Sequence, residues 1–258
     1  MCTLLAIVPP PGGLLQVGAN RDEFLARPAS PPRPWTGSPR LLAPRDEQAG
    51  GTWLGVSARG LFVGVTNRQG AERDAARASR GALVVEALRA GSVEALHRRL
   101  AGLEAGTYNP FHLLYADGQG RAGLTWNDGR LVQQRWLEPG LHVLTERSLG
   151  AGDDGTRVAR ARAALDGARQ PVPFEAWAEL LRVHAAPDPR AGTCLHVPAF
   201  GYGTRSSFVL RLGPDPAHAL CAWTEGPPCT SPWVDGTKEL RAMVDAGSPA
   251  SRAPSDGG

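Results

Sequence analysis

The apolar run Thr3 to Val8 stops at a Pro-Gly cluster, Pro9 to Gly13, and a second apolar run, Leu14 to Ala19, follows it. Short apolar runs bounded by turn residues predict strands, so the chain opens with a β-hairpin. Hairpin geometry sets Cys2 at the free end, near Asn20-Arg21-Asp22-Glu23, which directly follows the second run. Arg27 to Gly50 is rich in Pro, Gly and charge and predicts a long surface loop, a common place for function. Gly51–Ser57 and Leu61–Thr66 predict a second strand pair, turning at Ala58-Arg59-Gly60. Helical periodicity covers Gly81–Arg89 and Ser92–Leu100. Strands are predicted at Phe111–Ala116, Ala122–Trp126, Arg130–Leu137 and Leu141–Thr145. Helices follow at Thr156–Leu165 and Phe174–Val183, then a closing hairpin of Ser206–Leu212 and His218–Trp223. The Ser/Pro/Gly/Ala-rich end, Gly247 to Gly258, predicts a disordered tail.

Strands, helices, strands, helices and strands alternate in blocks, and hairpins dominate. That order predicts antiparallel sheets with segregated helices, an α+β class. No internal repeat and no linker precede Gly247, so residues 1–246 read as one domain.

Composition narrows the function. Of 258 residues 42% are hydrophobic, enough for a substantial core, which excludes a wholly disordered chain. The net charge is only +3, so no nucleic-acid partner is expected. The basic residues are 27 Arg and one Lys, a bias that strips single arginines of weight unless they sit in a motif. No apolar stretch is long enough for a membrane span, and the N-terminus lacks the basic region of a secretory signal. The expectation is a cytoplasmic protein with reduced thiols. Cys2, Cys194, Cys221 and Cys229 form no CxxC and no Cys/His metal spacing, and the six histidines are scattered. No metal site and no required cofactor are expected, and no Walker, Rossmann or GxSxG motif is present.

Cys2 is the first candidate. Removal of Met1 leaves an α-amine, of reference pKa about 7.7–8.0, on the same residue as a thiol of about 8.5. The amine then serves as proton acceptor for the thiol, and no catalytic His is needed. Cys2 reads alternatively as a small core residue at a strand start. Asp22 could orient that amine and thiol, and Arg21 could favour a thiolate or bind a substrate carboxylate. Asn67, ending the strand Leu61–Thr66, could donate to an oxyanion, or simply form a turn ahead of Gly70. Gly201-Tyr202-Gly203-Thr204-Arg205 permits close ligand approach, with Arg205 entering a strand, or is a flexible turn.

Several stretches in order resemble the NRDE family, whose best-known members are the transport and Golgi organisation 2 proteins. They are Met1-Cys2, Ala19 to Phe24 with Arg27-Pro28, Gly50 to Gly55, Leu61 to Asn67, Ser79-Arg80-Gly81, Tyr108-Asn109 with Phe111, and Gly201 to Arg205. That family is similar to the N-terminal nucleophile hydrolases, in the branch of penicillin V acylases and bile salt hydrolases. The resemblance implies a four-layer α-β-β-α sandwich of antiparallel sheets. It implies Cys2 as nucleophile, Asp22 as its acid and Asn67 as an oxyanion donor. Arg21 is a displaced counterpart of the acylase arginine, which aligns nearer Ala19. Asn20, Glu23, Arg80 and Arg205 fall inside the shared motifs as candidate substrate-binding residues. A second acylase Asn follows a Leu-Thr pair; here Leu144-Thr145 is followed by Glu146, a poor oxyanion donor unless protonated.

The implied function is hydrolysis of a small-molecule linear amide through Cys2. The alternative is a non-catalytic carrier of haem or an amphipathic acyl ligand on the same scaffold, suggested by Glu146 and by the arginines and aromatics near the mouth. A third is an interaction protein with a decayed site.

Overall fold

The computed structural model describes residues 2–70, 73–152 and 155–245. The expected tail, Gly247 to Gly258, and the domain boundary at residue 246 lie outside the described residues. Two antiparallel sheets stack face to face. The first runs in the order β10(Gly140–Leu144), β1(Cys2–Val8), β2(Leu15–Phe24), β12(Tyr202–Leu212), β13(Leu220–Thr224), β14(Trp233–Asp235), with the short β11(His196–Val197) also on β12. The second follows sequence order from β3(Ala29–Trp35) through β4(Leu41–Asp46), β5(Leu54–Ser57), β6(Leu61–Asn67), β7(Phe111–Asp117) and β8(Ala122–Asn127) to β9(Val132–Trp136).

Alternation along the strands builds the layers. Leu4, Ala6 and Val8 of β1 meet Phe62, Leu114 and Leu124 of the second sheet in the central core. The opposite face of the first sheet, with Leu5, Ile7 and Val209, packs under α3(Gly155–Leu165) and α4(Phe174–Leu181). The outer face of the second sheet, with Leu61, Val63 and Leu113, packs under α1(Arg80–Leu88) and α2(Val93–Leu100). The result is the expected four-layer α-β-β-α sandwich. Gly18 of β2 permits the close packing of α4, because a Cβ there would fall 2.4 Å from a ring carbon of Trp177.

Three sequence expectations are corrected. Arg27 to Gly50 is not a loop: it carries the β3–β4 hairpin at the edge of the second sheet. Pro31, Pro32 and Pro34 are tolerated because β3 is the edge strand, where missing N–H donors cost nothing, and the register shifts between Ser30 and Arg33. Asn20 to Glu23 do not follow β2 but lie within it, because β12 continues to pair with them from Tyr202 onward. After β13 the chain adds β14 and α5(Thr237–Asp245), whose Leu240 and Met243 close one edge of the central core.

Candidate active site and its relatives

Cys2 and Arg21 are direct partners in the β1–β2 register, so both side chains lie on the face that carries Leu4 and Ala19 into the central core. They cap that core at its end. Burial pushes the Cys2 thiol up, and the Arg21 charge works against that rise. The thiol points to the Asp22 carbonyl, with Sγ 4.0 Å from the oxygen. Arg21 is 5% exposed, and its guanidinium lies over the Trp53 ring at 4.2 Å. Glu23 and Asp46 face that charge at 3.8 and 3.9 Å, and Arg27 fixes Asp46 with a 2.7 Å ion pair.

Asp22 points to the other face of the sheet. The Thr204 hydroxyl donates to its Oδ1 at 2.6 Å, and the Tyr202 hydroxyl donates to its carbonyl at 2.8 Å. Burial pushes the Asp22 carboxyl up to about 7, and the nearby Arg157 charge opposes that rise. Thr204 is itself fixed, its oxygen accepting from the Leu195 N–H at 2.8 Å. Gly201, at φ +57°, makes the left-handed turn that starts this strand, so the glycine motif shapes entry into β12.

The remaining candidates divide. Asn20 shares the Asp22 face, and its amide is taken up by the Leu181 and Thr193 carbonyls, at 2.8 and 2.7 Å, and by the Ser207 hydroxyl. It acts as a bracket between sheet and helix layer. Arg80 opens α1, where Gly51 and Gly81 touch so closely that a Cβ on Gly51 would sit 2.4 Å from the Gly81 carbonyl carbon. Its Nη1 donates to the Pro110 carbonyl at 2.8 Å; burial draws its pKa down, while charge on Cys2 and Glu23 opposes this. Arg205 occupies the bulge between Thr204 and Ser206, and its buried Nε has no hydrogen-bond partner among the described residues. Glu146 is buried just beyond β10; its Oε2 makes no hydrogen bond among the described residues, and its charge helps raise Asp22. Asn67 is exposed at the end of β6, where alternation puts it on the face of Val63 and Val65, away from Gly64 and Thr66 beside Cys2.

Trp53, Tyr202 and Thr204 were not singled out by type, although each lies inside a quoted motif. Trp53 and Leu54 line both the small recess beside Cys2 and a larger cleft. That cleft, with a cavity volume of about 80 Å³ and open to the surface, is walled by Arg21, Arg205, Trp53, Phe208 and Trp223. Phe24 and Phe200 stand exposed, and Phe24 meets Tyr202 edge-on at 5.3 Å.

Residues 1–215 match the family model described as Transport and Golgi organisation 2. The chain belongs to that family. It is 34% identical to the human Transport and Golgi organization protein 2 homolog over 106 residues, which is 40% of this chain and 38% of the human protein. The bovine homolog matches at the same identity over the same spans. Among solved structures, a conjugated bile acid hydrolase from Clostridium perfringens superimposes with a TM-score of 0.59 at 15% identity, over 93% of this chain and 94% of that one. A Caenorhabditis elegans ortholog of N-acylethanolamine-hydrolyzing acid amidase gives 0.54 at 10% identity, over 81% and 92%. The family therefore has, in this chain, the N-terminal nucleophile hydrolase fold.

A second cluster lies beyond the Asp22 side of the sheet. His184, Cys194, His196 and Cys229 converge so that one donor atom from each lies within 4.8 Å of the others. No Cys/His spacing along the sequence shows this convergence. The donors come from the loop after α4, the segment around β11 and the loop after β13, which only the folded sheet brings together.

Proposed function

We propose that the chain is a cysteine N-terminal nucleophile hydrolase, which transfers the acyl group of a linear amide to water through Cys2. The carrying observation is the register that pairs Cys2 with Arg21 at the end of the core, with Asp22 next along β2 on the opposite face of the sheet. Met1 removal is a required step in this reading. The freed α-amine takes the thiol proton as Sγ bonds to the amide carbon, and it then gives that proton to the leaving nitrogen as the C–N bond breaks. Water attacks the thioester, releases the acid and restores the thiol. Arg21 offsets charge on the sulfur, and Asp22, held by Thr204, orients the ammonium. Backbone N–H groups, with Arg80 nearby, serve the developing oxyanion, the term that usually dominates acyl transfer, while Asn67 points to the other face of its sheet and is left out of this reading.

The cleft supports an amphipathic substrate, with a polar or carboxylate end at Arg21 and Arg205 and an apolar body against Trp53, Phe208 and Trp223. The two solved relatives are named for acyl substrates of that kind. Incubation with a panel of N-acyl amines, followed by mass spectrometry, tests the reading. An acyl adduct confined to Cys2, absent from Cys2→Ala, supports it; no adduct and no turnover across the panel contradicts it.

Glu146 and the Arg205 Nε, which has no hydrogen-bond partner among the described residues, favour one second reading. A carboxylate-bearing ligand such as haem is carried in the cleft without turnover, its propionates on the arginines. A saturable Soret shift that weakens in Arg205→Ala supports it, and an unsaturable titration contradicts it.

A further inference from the structure

The geometry points to a zinc site built from His184, Cys194, His196 and Cys229, a structural clamp separate from Cys2. The three spacings among Cys194, His196 and Cys229 are those of a tetrahedral ion, and all four donor atoms lie within 4.8 Å of one another. Zn–S bonds of about 2.3 Å and Zn–N bonds of about 2.0–2.1 Å place sulfurs about 3.8 Å apart and sulfur and nitrogen about 3.6 Å apart. Here Cys194 Sγ and Cys229 Sγ are 3.7 Å apart. His196 Nε2 lies 3.5 Å from Cys194 Sγ and 3.2 Å from Cys229 Sγ. The His184 ring meets the His196 ring edge-on, with centroids 4.9 Å apart, and supplies the fourth donor.

Thiolate and imidazole donors select zinc over hard cations such as magnesium. On binding, two S–Zn bonds form and the two thiol protons leave to solvent; no oxidant takes part. Four protein donors leave no open position, which marks a structural rather than a catalytic ion. His184 and His196 are exposed while Cys194 is buried, so an ion enters from the surface and is held against the core.

The consequence reaches the candidate active site. Cys194 and His196 flank Leu195, whose N–H donates to Thr204, which in turn donates to Asp22. Leu195 also accepts from the Thr204 N–H at 2.8 Å. The Asn20 amide reaches Thr193 in the same segment. A clamp joining the loop after α4, β11 and the loop after β13 therefore fixes the backbone on which both polar residues rest.

Elemental analysis of untagged protein purified under reducing conditions tests the site directly. About one equivalent of zinc per chain is expected, with loss of that equivalent in Cys194→Ser/Cys229→Ser and in His184→Ala/His196→Ala. Because such variants can fail to fold, Co2+ titration of metal-free wild-type protein gives an independent reading. Tetrahedral d–d bands with thiolate charge transfer, bleached by one equivalent of Zn2+, support the site. Sub-stoichiometric zinc with a featureless Co2+ titration overturns it, as do unchanged metal in folded variants and a Cys194–Cys229 disulfide in the freshly isolated protein. None of these readouts depends on amide hydrolysis.

Discussion

Cys2 and Arg21 face one another across β1 and β2, and the Arg21 guanidinium lies over the Trp53 ring at 4.2 Å. The one cation in register with the thiol is thus held by packing as well as by ion pairs. Its charge favours the Cys2 thiolate. Arg21→Gln is expected to slow iodoacetamide labelling of Cys2 by about tenfold, the effect of one pKa unit on the thiolate fraction. Arg21→Lys keeps the charge but loses the planar stack, so it should recover only part of the rate. Equal rates in all three proteins would contradict this role.

Asp22 makes stability fall with rising pH. Its folded pKa of about 7 lies above the ordinary carboxylate value, so the folded state holds a proton that the unfolded state has released. The contribution is complete below about pH 4 and is lost between there and about pH 7, with a slope approaching about 1.4 kcal/mol per pH unit. Asp22→Asn should flatten that part of the profile in denaturant melts at several pH values. An unchanged profile would show that Asp22 titrates normally.

Thr204 joins the Leu195 N–H to Asp22 through one buried hydroxyl. Thr204→Val preserves shape but removes the hydroxyl that serves the buried Leu195 N–H and Asp22, an expected loss of about 1–3 kcal/mol. Thr204→Ser should retain most of the stability. Chemical denaturation separates them, and an equally stable Val variant would contradict the linkage.

Gly18→Ala should destabilise the helix layer by about 1–3 kcal/mol, because the new methyl meets the buried Trp177 ring. Trp177 fluorescence should shift as the ring moves. A neutral effect would mean that α4 slides freely on the sheet.

The sequence announced most of this architecture where local pattern decides it. The Thr3–Val8 run, the Pro9 to Gly13 turn and the amphipathic α1 and α2 are each set by neighbouring residues. Long-range pairing hid the rest. Asn20 to Glu23 look like a polar turn, and only β12 on the far side makes them strand. The β3–β4 hairpin is masked by prolines that an edge strand tolerates. Cys2 beside Arg21 and Asp22 was readable from hairpin register alone. Trp53 under Arg21, Glu146 facing Asp22, and Cys229 against Cys194 were not, because each contact joins distant segments through the packing of separate strands and loops.

The central claim is that Cys2 acts with its own freed α-amine. Intact-protein mass spectrometry of the native chain, followed by peptide mapping after brief iodoacetamide treatment, tests it most directly. A mass lacking Met1 and a first label on Cys2, ahead of Cys194, Cys221 and Cys229, are expected. A chain that retains Met1, with Cys2 no faster than the other three cysteines, would contradict it.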